Sequence, residues 1–303
     1  MGGGTAEERP MCVIPRPEPI LDHEMASLPI PDELLAEILL RLPTPADLVR
    51  ASAACVSFHR VAAHRSFLQR YRKLHAPPLL GFLDGHKVFY PATPPHPSAS
   101  AASHVALAAD FSFSFLPAPA RDWRVQDIRD GRVVLDRVSF SAGVFPEAVV
   151  CDPLHRRYLL LPPLAYPPPL ADLLRVEIFL VPPGCGVEAA TADETSFRAI
   201  WMAQCETRLV ASVFSSNTRQ WRAATSRCWT DLSDGLPPLM TAASFYLRQY
   251  VYGCFYWLSP DFEESKLLVL DTKTMEFSIA EPPPEANTCL DFAMVEAGLG
   301  CLC

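Results

Sequence analysis

The chain has 303 residues, of which 50% are hydrophobic and 20% charged, a composition typical of a folded globular protein. Its formal net charge of −8 disfavours a nucleic-acid-binding protein, because such proteins carry a basic patch or stripe. No apolar run approaches the roughly 18 residues of a membrane helix, and the N-terminus lacks the apolar core of a secretory signal. We therefore expect a soluble protein of the cytoplasm or nucleus that binds neither nucleic acid nor membrane.

The chain divides into three parts by composition. Residues 1–26 are rich in Gly, Pro and Glu without periodicity, which predicts a disordered leader. Residues 27–74 carry helical patterns, and the remainder alternates short apolar stretches with Pro, Gly and Asp turns, as all-β domains do. Since Pro77 and Pro78 stop the preceding helix, we expect a helical domain first and a β domain at 76–303.

The first predicted helix starts after Pro31 and ends at Pro43. Its first turn holds Asp32 and Glu33, whose negative charges suit the positive end of a helix dipole. The side chains predicted to share one apolar face, an arc of about 140°, are Leu34, Leu35, Ile38, Leu39 and Leu42. Leu40 is apolar but falls on the opposite side of this predicted helix.

Shorter helices are predicted to follow. Thr44 and Asp47 have the spacing of a capping box, and the side chains that continue inward are Leu48, Ala51 and Cys55. Ser57 and Ser66 are expected to cap two further helices. A bundle of under about 50 residues seldom buries enough apolar surface to be stable alone. We therefore expect it to pack either on the β domain or on a partner protein.

These helices resemble an F-box. Residues 30–43 read IPDELLAEILLRLP, like the opening of the motif, and DLVRAS at 47–52 resembles its second helix. Residues 55–58 occupy the place of the family's Val-Cys-basic-basic-Trp stretch, although Phe58 replaces the Trp and Val-Ser replaces the basic pair. Together with residues 67–82, this segment is similar to plant F-box proteins that carry an F-box-associated β-propeller.

The resemblance implies that the chain is a substrate-receptor subunit of an SCF-type cullin–RING ubiquitin ligase. In that family the F-box binds the Skp adaptor and the other domain binds a protein substrate, here unidentified. It also implies a chain that is not an enzyme, with no catalytic residue, metal or cofactor. The residues expected to form the Skp interface are Ile30, Pro31, Leu34, Leu35, Ile38, Leu39, Leu42, Pro43, Leu48, Cys55 and Phe58.

Two other functions stay open. One is an F-box-like interaction protein without ligase function, because its substrate domain is truncated. The other is a β-propeller hydrolase, which needs acidic or His side chains that converge at one end of the blades. No such set is identifiable in the sequence.

Internal repetition in the β domain indicates a propeller. Three segments share the order strand, polar turn, strand, with turns that begin near residues 152, 215 and 271. Gly131 and Gly253 are expected to begin the inner strands of two of these units. The length allows about four to five blades, near the lower limit of closed propellers. The chain ends at 298–303 as if entering another strand, so we expect an incomplete β-propeller-like domain, with a β-sandwich-like remnant as the alternative.

Patterns that could carry chemistry are weak. None of the ten cysteines has the C-x-x-C spacing of a zinc site, so we expect buried thiols. Cys151 and His155 could form a Cys–His pair, but Asp152 fits the start of a tight turn better. The acidic loop at 261–264 is either a site for a cation or basic segment or a solvated hairpin tip. The aromatic residues at 245–257 either line a ligand surface or turn about half their rings to the core.

Overall fold

The computed structural model divides into two compact units, residues 1–78 and 79–303, called here the helical unit and the β unit. The structure describes residues 30–75, 78–137, 147–164, 172–182, 196–232, 245–259 and 266–282. The predicted disordered leader, the acidic loop at 261–264 and the terminal segment at 298–303 lie outside the described residues.

Between residues 30 and 75 the helical unit forms four short helices, α1 (Asp32–Leu40), α2 (Pro45–Ser52), α3 (Val56–Ala62) and α4 (Arg65–Leu74). The start of α2 agrees with its predicted cap. The Thr44 hydroxyl oxygen accepts a hydrogen bond from the backbone N–H of Asp47 at 3.1 Å, and Pro45 takes the first helical position. The pKa of Asp47 is lowered by its hydrogen bonds to Thr44 and Arg50.

The two following helices start at other residues than predicted. Cys55 is the N-cap of α3, and its thiol accepts a hydrogen bond from the Phe58 N–H at 3.5 Å. Ser57 is instead buried within α3. The N-cap of α4 is His64, so Ser66 is a helix residue as well. Serine is a frequent cap but not an obligatory one, because tertiary packing decides where the helix begins.

The helical unit has an apolar core to which all four helices contribute. The buried side chains are Leu35, Leu39, Leu40, Leu48, Val61, Ala62, Phe67 and Tyr71. Leu40, predicted to point away from the other leucines, lies in this core. The Tyr71 hydroxyl donates to the Leu42 carbonyl at 3.2 Å, which satisfies its polar end, and burial raises the pKa of this phenol.

The described residues of the β unit form three four-stranded antiparallel sheets. They are preceded by a hairpin of β1 (Gly81–Leu83) and β2 (Phe89–Pro91), by α5 (Ala99–Ala108) and by a 3-10 turn at Ala120–Asp122. Sheet one contains β3 (Trp123–Arg129), β4 (Arg132–Arg137), β5 (Ala148–Asp152) and β6 (Arg157–Leu161). Sheet two contains β7 (Leu173–Val181), β8 (Arg198–Cys205), β9 (Arg208–Ser215) and β10 (Gln220–Cys228), after which comes α6 (Trp229–Leu232). Sheet three contains β11 (Tyr246–Val251), β12 (Cys254–Leu258), β13 (Leu267–Asp271) and β14 (Phe277–Ala280).

The turn between the third and fourth strands is the same in all three sheets. Its fifth residue has a positive φ each time, 53° at Arg156, 55° at Arg219 and 59° at Met275. Asp152 and Asp271 begin two of these turns, and each carboxylate accepts the backbone N–H groups two and three residues further on. The three segments recognised in the sequence are therefore structural repeats, each forming the same part of a four-stranded sheet.

The two glycines expected to begin repeats lie one strand later than predicted. Gly131 and Gly253 each follow a residue of positive φ, so each pair forms a two-residue turn between the first and second strands. The first strands, β3 and β11, precede them. These strands carry several polar residues and a register shift, so they lack the apolar run by which a buried strand is found in a sequence.

The sheets pack on one another through apolar faces, as propeller blades do. Trp201 and Leu180 belong to the core cluster shared by sheets one and two, and Phe255 and Trp257 to the cluster shared by sheets two and three. Consecutive strands are neighbours in every sheet, as in propeller blades. Three sheets in the described residues are fewer than the four to eight of typical closed propellers, so this part is propeller-like without being a closed propeller. The predicted fold class is confirmed.

Candidate functional site

The residues predicted to bind a partner fall into three groups in the helical unit. Leu35, Leu39 and Leu48 are buried in the unit's own core. Leu42, Cys55 and Phe58 are half-buried. The exposed group contains Ile30, Pro31, Leu34, Ile38 and Pro43. The prediction of one apolar face on α1 is therefore wrong, since its leucines and isoleucine point to two different sides.

The exposed side of α1 carries an apolar row formed by Ile30, Leu34 and Ile38, called here the α1 row. Leu34 and Ile38 are four residues apart, a spacing that places their side chains one above the other along the helix, and Ile30 lies just before the N-cap Pro31. Leu34 is 58% exposed and Ile38 is 55% exposed. Complete burial of such a side chain contributes about 1.5–3 kcal/mol, so this row offers a partner a substantial gain on contact.

Contacts on the other sides of α1 hold the helix in this orientation. Asp32 accepts a hydrogen bond from Arg60 on α3 at 2.7 Å, and Glu37 forms an ion pair with Arg70 on α4. The His75 ring is hydrogen-bonded to the Leu40 carbonyl at 2.8 Å. The two ion pairs are exposed and contribute little energy, but they and the buried leucines leave the α1 row facing outward.

Two exposed valines on other helices were missed by sequence reasoning. Val49 on α2 is 66% exposed and Val56 on α3 is 61% exposed. A β-branched residue at an exposed helical position is a signal in itself, because it gains neither helix propensity nor burial there. This signal becomes usable only when the exposure of the position is known, which the structure supplies.

The Cys151 region does not form a catalytic pair in the described residues. Cys151 is buried in an apolar cluster with Trp123 and Leu135, and burial raises the pKa of its thiol to about 12. His155 lies on the exposed turn, where its Nδ1 is 2.7 Å from a carboxylate oxygen of Asp152. A thiol that stays protonated and is buried among apolar side chains is a poor nucleophile, which supports the turn interpretation.

Charged side chains meet where the first strands of the three sheets come together. We call β3, β7 and β11 the hub strands. Arg248 on β11 donates to Glu177 on β7 at 2.7 Å and to Asp127 on β3 at 2.9 Å. All three side chains are at most 13% exposed. One arginine therefore links all three sheets through a nearly buried ion-pair network.

Both hub carboxylates have all their oxygens occupied. The second oxygen of Asp127 accepts the Leu180 N–H at 2.8 Å, and Glu177 also accepts from Arg175 at 2.8 Å and from the Trp257 indole at 3.3 Å. With Arg248, these two carboxylates therefore join the three sheets through hydrogen bonds. The sequence hint was weak, a glutamate among the apolar residues of β7.

Three of the seven aromatic residues at 245–257 are buried in the protein interior. Phe245, Phe255 and Trp257 are buried in the core between sheets two and three, while Tyr252 is exposed on a turn. The expected alternation is seen in β12, where the half-buried Tyr256 lies between the buried Phe255 and Trp257.

Comparison with known proteins identifies the helical unit. Residues 28–73 match the F-box-like family model. The helical unit is an F-box-like domain. No protein of curated function matches the sequence of the chain. No helix of the described residues is long and apolar enough to cross a membrane.

A solved structure also resembles the chain. A chain in the crystal structure of a nidogen–laminin complex matches with 12% identity and a TM-score of 0.29, over 54% of this chain and 51% of that one. The match therefore spans about half the length of that structure. At this level of similarity the match supports no conclusion about function, and the description of the β unit as propeller-like stands on its own strand order.

Proposed function

We propose that the chain is a substrate-receptor subunit of an SCF-type cullin–RING ubiquitin ligase. The F-box-like domain, at 27–74, binds the Skp adaptor, and the domain at 76–303 binds a protein substrate. The observation that carries this proposal is the exposed α1 row in a unit that matches the F-box-like family. The resemblance to plant members of the family remains a prediction.

The geometry refines which residues meet the adaptor. The direct contacts are assigned to Ile30, Pro31, Leu34, Ile38 and Pro43, because their side chains are exposed. The half-buried group extends this surface at its edge, and the buried group supports it from within the core. Interfaces of this kind draw most of their affinity from a few apolar anchors, a role that the α1 row is suited to fill.

The chain contributes proximity rather than chemistry. F-box-like domains are typical of non-enzymatic adaptors, and in such a ligase the ubiquitin thioester is carried by another protein. A substrate bound to the β unit is brought near that thioester, in the cytoplasm or the nucleus. No acid, base or nucleophile of this chain takes part.

The test is co-expression with the Skp adaptor and affinity capture of the full chain. Leu34→Asp/Ile38→Asp places two carboxylates in the proposed contact, where burying unpaired charge is very costly. The matched control is Leu74→Asp/Leu79→Asp, which adds the same charge at leucines that are 66% and 63% exposed. We expect wild type and control to capture the adaptor and the α1 variant to lose it.

Two results contradict the proposal. Failure of soluble, folded wild-type chain to capture the adaptor removes the ligase function. Capture by the α1 variant at the level of the control moves the interface away from the α1 row. Because all four substituted residues are exposed, circular dichroism should show equal folding of both variants and wild type.

A further inference from the structure

The hairpin of β1 and β2 exposes a pair of aromatic side chains on one of its faces. Phe82 and Tyr90 lie directly opposite each other in the ladder, and their rings stack with centroids 4.7 Å apart. Phe82 is 64% exposed and Tyr90 is 44% exposed. Val88 precedes Tyr90 by two residues, so it lies on the same face, and it is 47% exposed. Contiguous exposed apolar side chains mark interaction sites, whereas single ones are common on any protein surface.

The opposite face anchors the hairpin in the β unit. The Phe89 ring stacks on the Phe111 ring with centroids 4.3 Å apart, and Leu83 packs against the core cluster on sheet one. Gly81 has a φ of 151°, and a Cβ at this position would lie 2.3 Å from the Tyr90 carbonyl oxygen. Only glycine therefore allows the two strands to approach this closely. The exposed aromatic pair is thus carried by a hairpin that is fixed by packing.

A carboxylate lies at the edge of the aromatic pair. Asp84 follows Phe82 by two residues, so both side chains are on the same side of the hairpin. One oxygen of Asp84 accepts the Val88 N–H at 2.8 Å, and the other accepts the Tyr90 hydroxyl at 3.3 Å. Both donors are neutral groups, so these hydrogen bonds orient the carboxylate without neutralising its charge.

Asp84 forms no ion pair within the described part of the chain. Its nearest basic neighbours in the sequence are His86 and Lys87. The Lys87 ammonium group donates to the Trp123 carbonyl at 2.8 Å, and His86 is exposed on the turn. A carboxylate without a paired cation therefore stands beside an exposed aromatic pair.

We propose that Phe82, Tyr90 and Asp84 form a binding site for an arginine side chain of a polypeptide partner. A guanidinium stacks on an aromatic face and donates hydrogen bonds in its own plane, so it fits over the Phe82 ring with its N–H groups toward Asp84. Val88 offers an apolar contact to the methylene stem of the arginine. The net charge of −8 favours the approach of a basic partner. The identification of this partner as a ligase substrate rests on the proposed function, whereas the site itself does not.

The test uses two fluorescein-labelled peptides and the full chain without the adaptor. The first peptide is Gly-Val-Arg-Val-Arg-Val-Gly, and the second carries citrulline, a neutral analogue of nearly the same shape, in place of both arginines. Fluorescence anisotropy measures both dissociation constants at physiological ionic strength, where long-range attraction is largely screened. We expect the arginine peptide to bind about 3- to 30-fold more tightly, the effect of one exposed cation–π contact and one exposed ion pair.

Two substitutions remove the two parts of the site. Asp84→Asn removes the charge and keeps an oxygen that accepts the Val88 N–H. Phe82→Thr removes the exposed ring and keeps a residue suited to a strand. Each substitution should reduce the preference for the arginine peptide, and the double variant should abolish it.

Matched controls change the same kinds of residue elsewhere in the β unit. Asp130→Asn removes an exposed carboxylate on a turn where φ is 51°, a conformation that Asn adopts readily. Tyr158→Thr removes a ring that is 44% exposed on β6. Both controls should keep the wild-type preference.

Two results overturn the proposal. The first is equal binding of the two peptides to wild type. The second is a loss of preference in Asp84→Asn and Phe82→Thr that is no larger than in their controls. Because the adaptor is absent, these outcomes are independent of the test of ligase function.

Discussion

The two units of this protein depart from the usual distribution of apolar and charged side chains in opposite ways. The helical unit exposes apolar side chains on α1, where water is an unfavourable neighbour, while the β unit buries charges between its hub strands. Hydration of the exposed α1 row is unfavourable for the helical unit, which indicates a binding partner outside the chain. The buried charges are paired with one another and so serve the interior. Exposure of apolar groups thus indicates function more directly than burial of charged groups that are paired with one another.

The largest expected effect is the loss of stability on disruption of the ion-pair network between the hub strands. Arg248→Met leaves Asp127 and Glu177 as buried charges without their shared cation. Removal of one partner from such a network costs about 3–5 kcal/mol, so the free energy of unfolding measured in urea should fall by that amount. The control Arg222→Met, at an exposed residue of β10, should stay within about 0.5 kcal/mol of wild type. A loss at Arg248 no larger than that of the control contradicts a structural role for the network.

A pair of neighbouring leucines sharpens the contrast within α1. Leu35→Ala removes a side chain that is 2% exposed and should cost about 2–5 kcal/mol, because it leaves a cavity in the helical core. Leu34→Ala removes an exposed side chain and should cost under about 0.5 kcal/mol. The effects on adaptor capture should have the opposite order. Leu34→Ala should reduce capture more than Leu35→Ala does, and by more than its small loss of stability explains. Equal destabilisation by both substitutions would show that α1 does not have two distinct sides.

The sequence predicted the elements of both units better than their orientation. The Thr44 cap and the turns at Asp152 and Asp271 were predictable, because each depends on local hydrogen bonds of a few residues. The inward side of α1 was not, since six of its nine residues are apolar and a helical wheel then allows several arcs.

The hub network escaped prediction for a different reason. Asp127, Glu177 and Arg248 come from three strands that are distant in the chain and share no motif. Only the packing of the sheets brings them together.

A smaller effect is expected in alkaline solution. Burial raises the pKa of the Cys151 thiol from 9.0 to about 12, so the unfolded chain ionises first as the pH rises. Stability is therefore complete below pH 9 and falls between these values, by up to about 1.4 kcal/mol per pH unit. The free energy of unfolding, measured in urea, should fall between about pH 8 and about pH 10 in wild type. In Cys151→Ala this fall should be smaller by about 1.4 kcal/mol. An identical loss in both proteins contradicts the burial of this thiol.

The smallest expected effect concerns the repeated turns. Arg219 has a φ of 55°, which costs a residue with a side chain about 1–2 kcal/mol. Arg219→Gly relieves this cost but makes the unfolded chain more flexible, so we expect a net gain of up to about 1 kcal/mol. Arg222→Gly, in the adjacent strand, should lose about 0.5–1 kcal/mol. Thermal unfolding measures whether each variant gains or loses stability relative to wild type. A loss of stability in Arg219→Gly contradicts the turn geometry.

The most direct test of the central claim is hydroxyl-radical footprinting of the full chain with and without the Skp adaptor. Oxidation of Leu34 and Ile38 reports the exposure of their side chains, and Leu74 serves as an internal reference. We expect both α1 residues to become strongly protected in the complex while Leu74 is oxidised as before. A complex that forms while Leu34 and Ile38 remain as reactive as in the free chain would contradict the account.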